Sequence, residues 1–242
     1  MNLEDLDKKK AKLDALRPLP PEFVKNLDEW FSVELTVTSN ALEGNTLTRQ
    51  ETAVVVEKGL TVRGKPLKDH LEATNHNESL EYVKTLVSLT PSQLTENHIF
   101  EIHKLILKGI DDDNAGKYRR VPVRISGSTV IFPNPVKVPD MMNEFVDWLQ
   151  NAGTLHPAQL ATEAHYKLVT IHPFVDGNGR TARLLMNLLL MMLGYPPAII
   201  KPEIRIDYID ALEKAQLGGS LDDFTQLIYL CIDSSLDIYL NS

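Results

Sequence analysis

The chain has 242 residues, with 25 Lys and Arg against 33 Asp and Glu, a formal net charge of −8 and 43% apolar residues. That composition suits a globular protein with a sizeable core, and the acidic balance argues against a direct nucleic-acid partner, which calls for a net basic face. The single cysteine, Cys231, excludes an internal disulfide and a cysteine-rich metal site, and no apolar run approaches the roughly 20 residues that cross a bilayer.

The first 16 residues, MNLEDLDKKKAKLDAL, alternate charge with leucine at helical spacing and lack the apolar segment of a signal peptide. The expected setting is therefore cytoplasmic, with no membrane partner. The Pro-rich break at 18–21 ends a helix over 3–16 and starts another, because Pro suits a first helical turn. Phe23, Leu27, Trp30, Phe31 and Leu35 fall on one stripe of a helix over 22–41, which closes at Gly44-Asn45. Further helices are predicted over 48–59, 66–88, 91–108, 140–151, 157–171, 179–193, 206–216 and 221–240. Thr48 with Glu51 three residues on has the capping-box pattern, and Ser220 is a good N-cap before Asp222 and Asp223. Residues 120–130 (RVPVRISGSTV) read differently. Their β-branched alternation around Ser126-Gly127-Ser128 predicts a hairpin. The fold expected is mostly α, a helical bundle with one short β-hairpin. It divides into an N-terminal helix at 1–20, a helical region at 21–65 and a core domain at 66–242, all within one structural unit.

The informative segment is His172-Pro173-Phe174-Val175-Asp176-Gly177-Asn178-Gly179-Arg180-Thr181-Ala182-Arg183. A helix ends where Pro173 forbids its continuation, and an apolar helix begins near Gly179. In the turn between them, glycines let backbone N–H groups converge, and a helix start adds unpaired donors and a positive dipole end, as anion sites require. Arg180 and Arg183, three residues apart, share a helix face and suit phosphate oxygens. Asp176 is the one carboxylate in the turn, a common arrangement for Mg²⁺ completed by phosphate oxygens and water. His172 can accept a proton near neutral pH. Together these residues describe a site for nucleotide phosphoryl or nucleotidyl transfer.

HPFVDGNGR, extended by Thr181-Ala182-Arg183, resembles the HPFxxGNGRxxR signature of Fic-domain proteins at every specified position. The flanks AHYKLVTIHPF and LLMNLLLMMLGYPP look like Fic domains of the animal AMP-transferase type, and the resemblance covers roughly residue 22 to the C-terminus. It implies a Fic fold that transfers AMP from ATP to a Ser, Thr or Tyr hydroxyl of a target protein. His172 would be the base. Asp176 would hold Mg²⁺. Gly177, Asn178 and Gly179 would offer amides to the phosphates, and Arg180 and Arg183 would steady the β- and γ-phosphates. Gly177 also separates the turn from the Doc-type kinases, which carry Ala and Lys variants there. The resemblance leaves open removal of AMP or transfer of another nucleotide by the same site. From a different class, it leaves open a Fic-fold regulatory module of the toxin–antitoxin kind.

Upstream, Ser39-Asn40-Ala41-Leu42-Glu43-Gly44-Asn45 resembles the inhibitory (S/T)xxxE(G/N) motif of the same family. Ser39 and Glu43 are four apart and share a helix face, and the resemblance pairs Glu43 with Arg183, withholding that arginine from the nucleotide. Residues 21–65 would then be the inhibitory helix region. The predicted hairpin matches the position of the Fic flap, where Val123, Arg124, Ile125 and Ser126 would dock the target by strand pairing. Gly116-Lys117-Tyr118-Arg119 resembles the lead-in to that flap. Tyr208 and Gln216 match nucleoside-contacting positions, with Gln216 departing from the family's Asn. A homodimer is a further partner the subgroup implies. His165 and the apolar run 184–193 read as packing, and the remaining histidines have no metal-ligand spacing.

Overall fold

The computed structural model describes residues 1–241, and among them are ten α-helices and no β-strand. They are α1 (Leu3–Ala15), α2 (Pro21–Leu42), α3 (Arg49–Lys58), α4 (Leu67–Leu86), α5 (Glu96–Leu107), α6 (Val138–Asn151), α7 (Pro157–Ile171), α8 (Asn178–Met192), α9 (Arg205–Gln216) and α10 (Asp222–Asn241). Short 3₁₀ turns lie at Pro91–Gln93, Pro135–Lys137 and Pro202–Ile204. None of the helices is long and apolar enough to cross a membrane.

α8 is the axis of the bundle. Leu184, Leu185, Met186, Leu188, Leu189 and Leu190 are each at most 1% exposed, so the helix is apolar almost all round because it is enclosed on nearly every side. Each such side chain contributes about 1.5–3 kcal/mol of burial. α7 packs along α8 more extensively than any other helix does, and α4 and α5 also pack against it. The same core takes in Leu6 and Leu13 of α1 and Phe224, Ile228 and Ile232 of α10. Lys9 fastens these two end helices through Asp233 and Asp237, at 2.7 Å each.

Most predicted helices lie where the pattern placed them, and the local signals act as expected. Thr48 and Glu51 form the reciprocal capping box of α3, and Ser220 Oγ accepts from Asp222 N–H at 3.1 Å. The helix predicted over 91–108 divides instead. Leu94 is extended (φ −69°, ψ 140°), and the chain restarts at the Thr95 cap of α5.

The predicted β-hairpin does not form. Ser128 N–H closes a turn onto Ile125 C=O at 3.1 Å, with Gly127 at φ 84°. A positive φ at only the third residue gives a type II turn, which splays the flanking chains, whereas hairpin turns match the strand twist. The donors a ladder would need also go elsewhere. Pro122 has none, Thr129 N–H turns to Glu213 and Val130 N–H bonds Ser128 Oγ. The flap is therefore an irregular loop across the mouth of the site.

Candidate active site

α7 ends at His172, which adopts the left-handed conformation (φ 51°, ψ 60°). It is the only non-glycine residue with positive φ among the described residues. Pro173 disfavours a further right-handed turn at the residue before it, so the chain turns sharply and the imidazole faces a cavity of about 310 Å³. His172 Nδ1 lies 3.3 Å from the Val169 carbonyl, which can only accept. Nδ1 therefore carries the hydrogen, and Nε2 keeps a free lone pair. The ring stacks on Phe132 at 4.0 Å. Burial pulls its pKa down to about 4, so the imidazole is neutral at physiological pH.

The loop that follows is held from outside. Asn178 bonds Phe174 in both directions, Nδ2 to C=O and Oδ1 from N–H, at 2.9 Å each. Its side chain thus braces the turn and leaves its backbone amide free for the site. His103 of α5 accepts from Gly116 N–H at 3.0 Å and donates to the Asp176 carbonyl at 2.9 Å, while its ring stacks on Phe174 at 3.6 Å. Arg119, only 2% exposed, donates to the carbonyls of His172 and Pro133 at 2.7 Å each and of Val121 at 3.3 Å. One buried guanidinium thus joins the base of the flap to the histidine.

Gly177 is the N-cap of α8 at φ 74°, where a Cβ would stand 3.2 Å from Ile106 and 3.3 Å from His103. The start of α8 has neither a side-chain cap nor an acidic residue in its first turn. Its unpaired N–H groups and positive dipole end therefore face the cavity, which is the physical basis of an anion site.

An anion from α2 lies against that helix end. A Cβ on Gly179 would stand 2.5 Å from Glu43 Oε1 and 3.0 Å from Arg183 Nη1. Glu43 Oε1 accepts from Arg183 Nη2 at 2.7 Å. Arg183 also donates from Nε to Ser39 Oγ and from Nη2 to Ser39 C=O, at 2.9 Å each. Burial alone would raise the pKa of Glu43, but the charge and hydrogen bond of Arg183 outweigh it and hold the carboxyl below its ordinary range. Burial would likewise lower Arg183, and Glu43 outweighs it there too. The end of α2 is pinned in place: Asn40 and Asn45 reach α4 at the Glu72 carbonyl (3.1 Å) and carboxylate (2.9 Å), and Arg205 Nε caps the Leu42 carbonyl at 2.8 Å.

The remaining predicted residues divide. Asp176, with a side chain 57% exposed, lies at the rim and accepts from Gly177 N–H at 2.6 Å through Oδ1. Arg180 does not line the cavity: it is 2% exposed and turns toward Glu72, with Nη1 at 3.2 Å and Nη2 3.6 Å from Asp176. Tyr208 lines the cavity, but its hydroxyl bonds His165 Nε2 at 2.9 Å and takes Arg183 Nη1 at 3.5 Å. Gln216 lines it and donates to Val169 C=O and Thr170 Oγ1 at 3.3 Å each. Val123, Arg124 and Ile125 form the flap side of the cavity, while Ser126 does not line it and Ser128 does. His103, Arg119, Glu72, Arg205 and Glu213 belong to the site or its frame without having been predicted there. Of these only Arg119 fell in a stretch the sequence marked.

No three His, Cys, Asp or Glu side chains converge to hold a metal by themselves among the described residues. The donor set instead fits a cation that brings most of its own ligands. Asp176 offers one exposed carboxylate beside an uncapped helix start, and phosphate oxygens with water would complete the sphere of Mg²⁺.

Comparison with known proteins agrees with this geometry. The sequence profile of the Fic/DOC family matches residues 93–190. Curated relatives named protein adenylyltransferase Fic are 37% identical over 99% of this chain in Nematostella vectensis and 36% identical over 98% of it in Culex quinquefasciatus. The chain spans 56% and 47% of those two proteins, about half their length. Among solved structures, Fic-1 of C. elegans (aa134–508) superposes with TM-score 0.90 at 30% identity, covering 99% of this chain and 71% of that one. A Fic domain-containing signaling protein from Bacteroides thetaiotaomicron superposes with TM-score 0.87 at 32% identity, covering 98% of this chain and 96% of that one.

Proposed function

The chain belongs to the Fic family, and from that premise we propose that it is a protein adenylyltransferase restrained by its own Glu43. The observation that carries the proposal is a carboxylate laid against the uncapped start of α8, in a cavity it shares with a histidine whose Nε2 is free. A helix start left bare and met by a borrowed anion is built for a phosphate group.

In the reaction proposed, ATP lies in the cavity with its phosphates on the amides of Asn178 and Gly179, and on that of Gly177 once Asp176 turns from it toward the metal. Nε2 of His172 takes the proton of a Ser, Thr or Tyr hydroxyl on the target protein. The freed oxygen attacks the α-phosphorus as the bond from that phosphorus to the bridging oxygen breaks, and pyrophosphate leaves. Asp176 would hold Mg²⁺, which when bound neutralises phosphate charge. Arg183, once released from Glu43, turns its fork to the terminal phosphate. Arg180 acts from behind the loop, where its pairing with Glu72 and Asp176 fixes the metal carboxylate. The flap presents the target, and the reaction belongs to the cytoplasm.

A second activity of the same site rests on Glu43. Only Oε1 of this carboxylate is engaged by Arg183, and its other oxygen can orient a water for removal of AMP from a modified target.

The test compares wild type, Glu43→Gly and Glu43→Gly/His172→Ala with Mg-ATP labelled at the α-phosphate. Label on protein should rise at least tenfold in the first variant and vanish in the second, which still binds ATP. Equal labelling by wild type and Glu43→Gly would reject the restraint. Labelling that survives loss of His172 would reject the mechanism. Cell lysate labelled by the Glu43→Gly protein, followed by mass spectrometry, identifies the target.

A further inference from the structure

The flap is fastened at two places. Its base is joined to the motif loop by Arg119 and by the stacking of Phe132 on His172. Its tip has a different tie: the Thr129 N–H and the Thr129 hydroxyl both donate to Glu213 Oε1, at 2.9 Å each, from a helix 84 residues further along. The Ser128 hydroxyl also bonds Glu213, and the remaining bonds of the tip stay within it, from Ser128 N–H to Ile125 C=O and from Arg124 Nη1 to Val130 C=O at 3.3 Å. With no ladder along its length, the tip depends on α9 for its position.

That position matters because the tip is a wall of the cavity. Val123 and Ile125 line it from the flap, and Ile209 and Leu212 line it from the same helix as Glu213. From this arrangement we infer that Glu213 is a positioning residue, which holds the flap tip at a fixed distance from α9 so that the two apolar walls make a slot for the flat ring of the nucleotide base. This deepens the reading of the cavity as a nucleotide site and rests on it.

The chemistry of the tie suits the task. One carboxylate oxygen accepts two donors from one residue, so the tie fixes the backbone and the side chain of Thr129 together. Hydrogen bonds to a charged acceptor are stronger than neutral ones, yet Thr129 is exposed, so water competes for both. The tie is therefore strong enough to bias the flap by about tenfold and too weak to govern the stability of the bundle.

The experiment uses the full chain in the Glu43→Gly background, where the anion site is open, with Glu213→Ala, Glu213→Gln and Thr129→Val added singly. Amide exchange over residues 123–131 is read together with the affinities for Mg-ATP and for inorganic tripolyphosphate, which has phosphates but no base. Glu213→Ala should speed exchange at Thr129 about tenfold and weaken ATP about fivefold, with tripolyphosphate binding unchanged. Glu213→Gln should restore most of both, because its amide oxygen still accepts. Thr129→Val, which keeps the N–H, should show a smaller change of the same kind. Unchanged exchange at Thr129 overturns the tie, and equal weakening of ATP and tripolyphosphate overturns the slot. If Glu213→Ala loses protection across α9, the two milder variants decide the matter by the same readings. Failure of the unmodified Glu43→Gly protein to bind ATP would strike at the nucleotide reading, and the exchange result would still judge the tie.

Discussion

Glu43 Oε1 and Arg183 Nη2 stand 2.7 Å apart although 140 residues separate them in the chain, and Gly179 is what lets them meet. A methyl group there would strike the carboxylate at 2.5 Å. The struck atom is the end of a flexible side chain, so Gly179→Ala should displace Glu43 and leave the fold intact. It should cost about 1 kcal/mol in the wild type, from strain and the lost ion pair. In a Glu43→Gly background it should be neutral or slightly stabilising, since alanine favours a helix over glycine by about 1 kcal/mol. Urea unfolding of the four proteins measures this coupling, and equal losses in both backgrounds would contradict it.

His172 sets the acid limit of labelling. Its pKa is lowered to about 4 by burial, so the base is already neutral far below the ordinary imidazole range. In Glu43→Gly protein, kcat/KM should show no acid limb between pH 8 and about 5. The charge of Glu43 raises this pKa, so its removal moves the limb down. A limb near 6.5 would show that the imidazole titrates as if exposed.

Acid should weaken the fold well before the carboxylates titrate. Burial lowers His76 and His165 to about 3 and His103 to about 4. Their unfolded pKa is about 6.5. Below that value the unfolded chain binds protons that the native state refuses, so stability is full above pH 6.5 and falls as pH drops toward these folded values. The slope should be on the order of 1 kcal/mol per pH unit for each histidine. Urea midpoints from pH 7.5 to 5 check it, and His165→Asn should flatten the curve. A midpoint that does not move over that range would show these rings to be accessible to protons.

Gly177→Ala places a side chain at φ 74° against Ile106 and His103. The left-handed backbone alone costs roughly 1–2 kcal/mol, and the crowding adds to it. We expect a loss of about 2 kcal/mol in urea unfolding. Because His103 holds the Asp176 carbonyl, the Mg²⁺ dependence of labelling should shift to higher concentration in the same variant.

What could be read in advance was what the chain writes locally. The stripe of α2, the capping box at Thr48 and the turn from His172 to Arg183 all lie within a few helical turns, where spacing alone fixes which residues meet. The frame of the site does not. Arg119 reaches His172 across 53 residues and His103 reaches Asp176 across 73, and neither has a neighbour in sequence that announces its partner. Arg180 shows the same limit from the other side. Helical spacing placed it beside Arg183, but a buried carboxylate on α4 decides which way it turns. The hairpin failed for two reasons that alternation cannot register: the sense of the turn at Gly127 and the claim of Glu213 on Thr129.

The left-handed backbone of His172 sets two kinds of selection against each other at one position. Glycine would sit there with less strain, while histidine alone keeps the base. A lineage of this fold released from its chemistry should therefore drift at residue 172 toward glycine, since folding itself favours the change. Histidine retained at that position in a distant copy would then be a molecular record that the reaction was still being used.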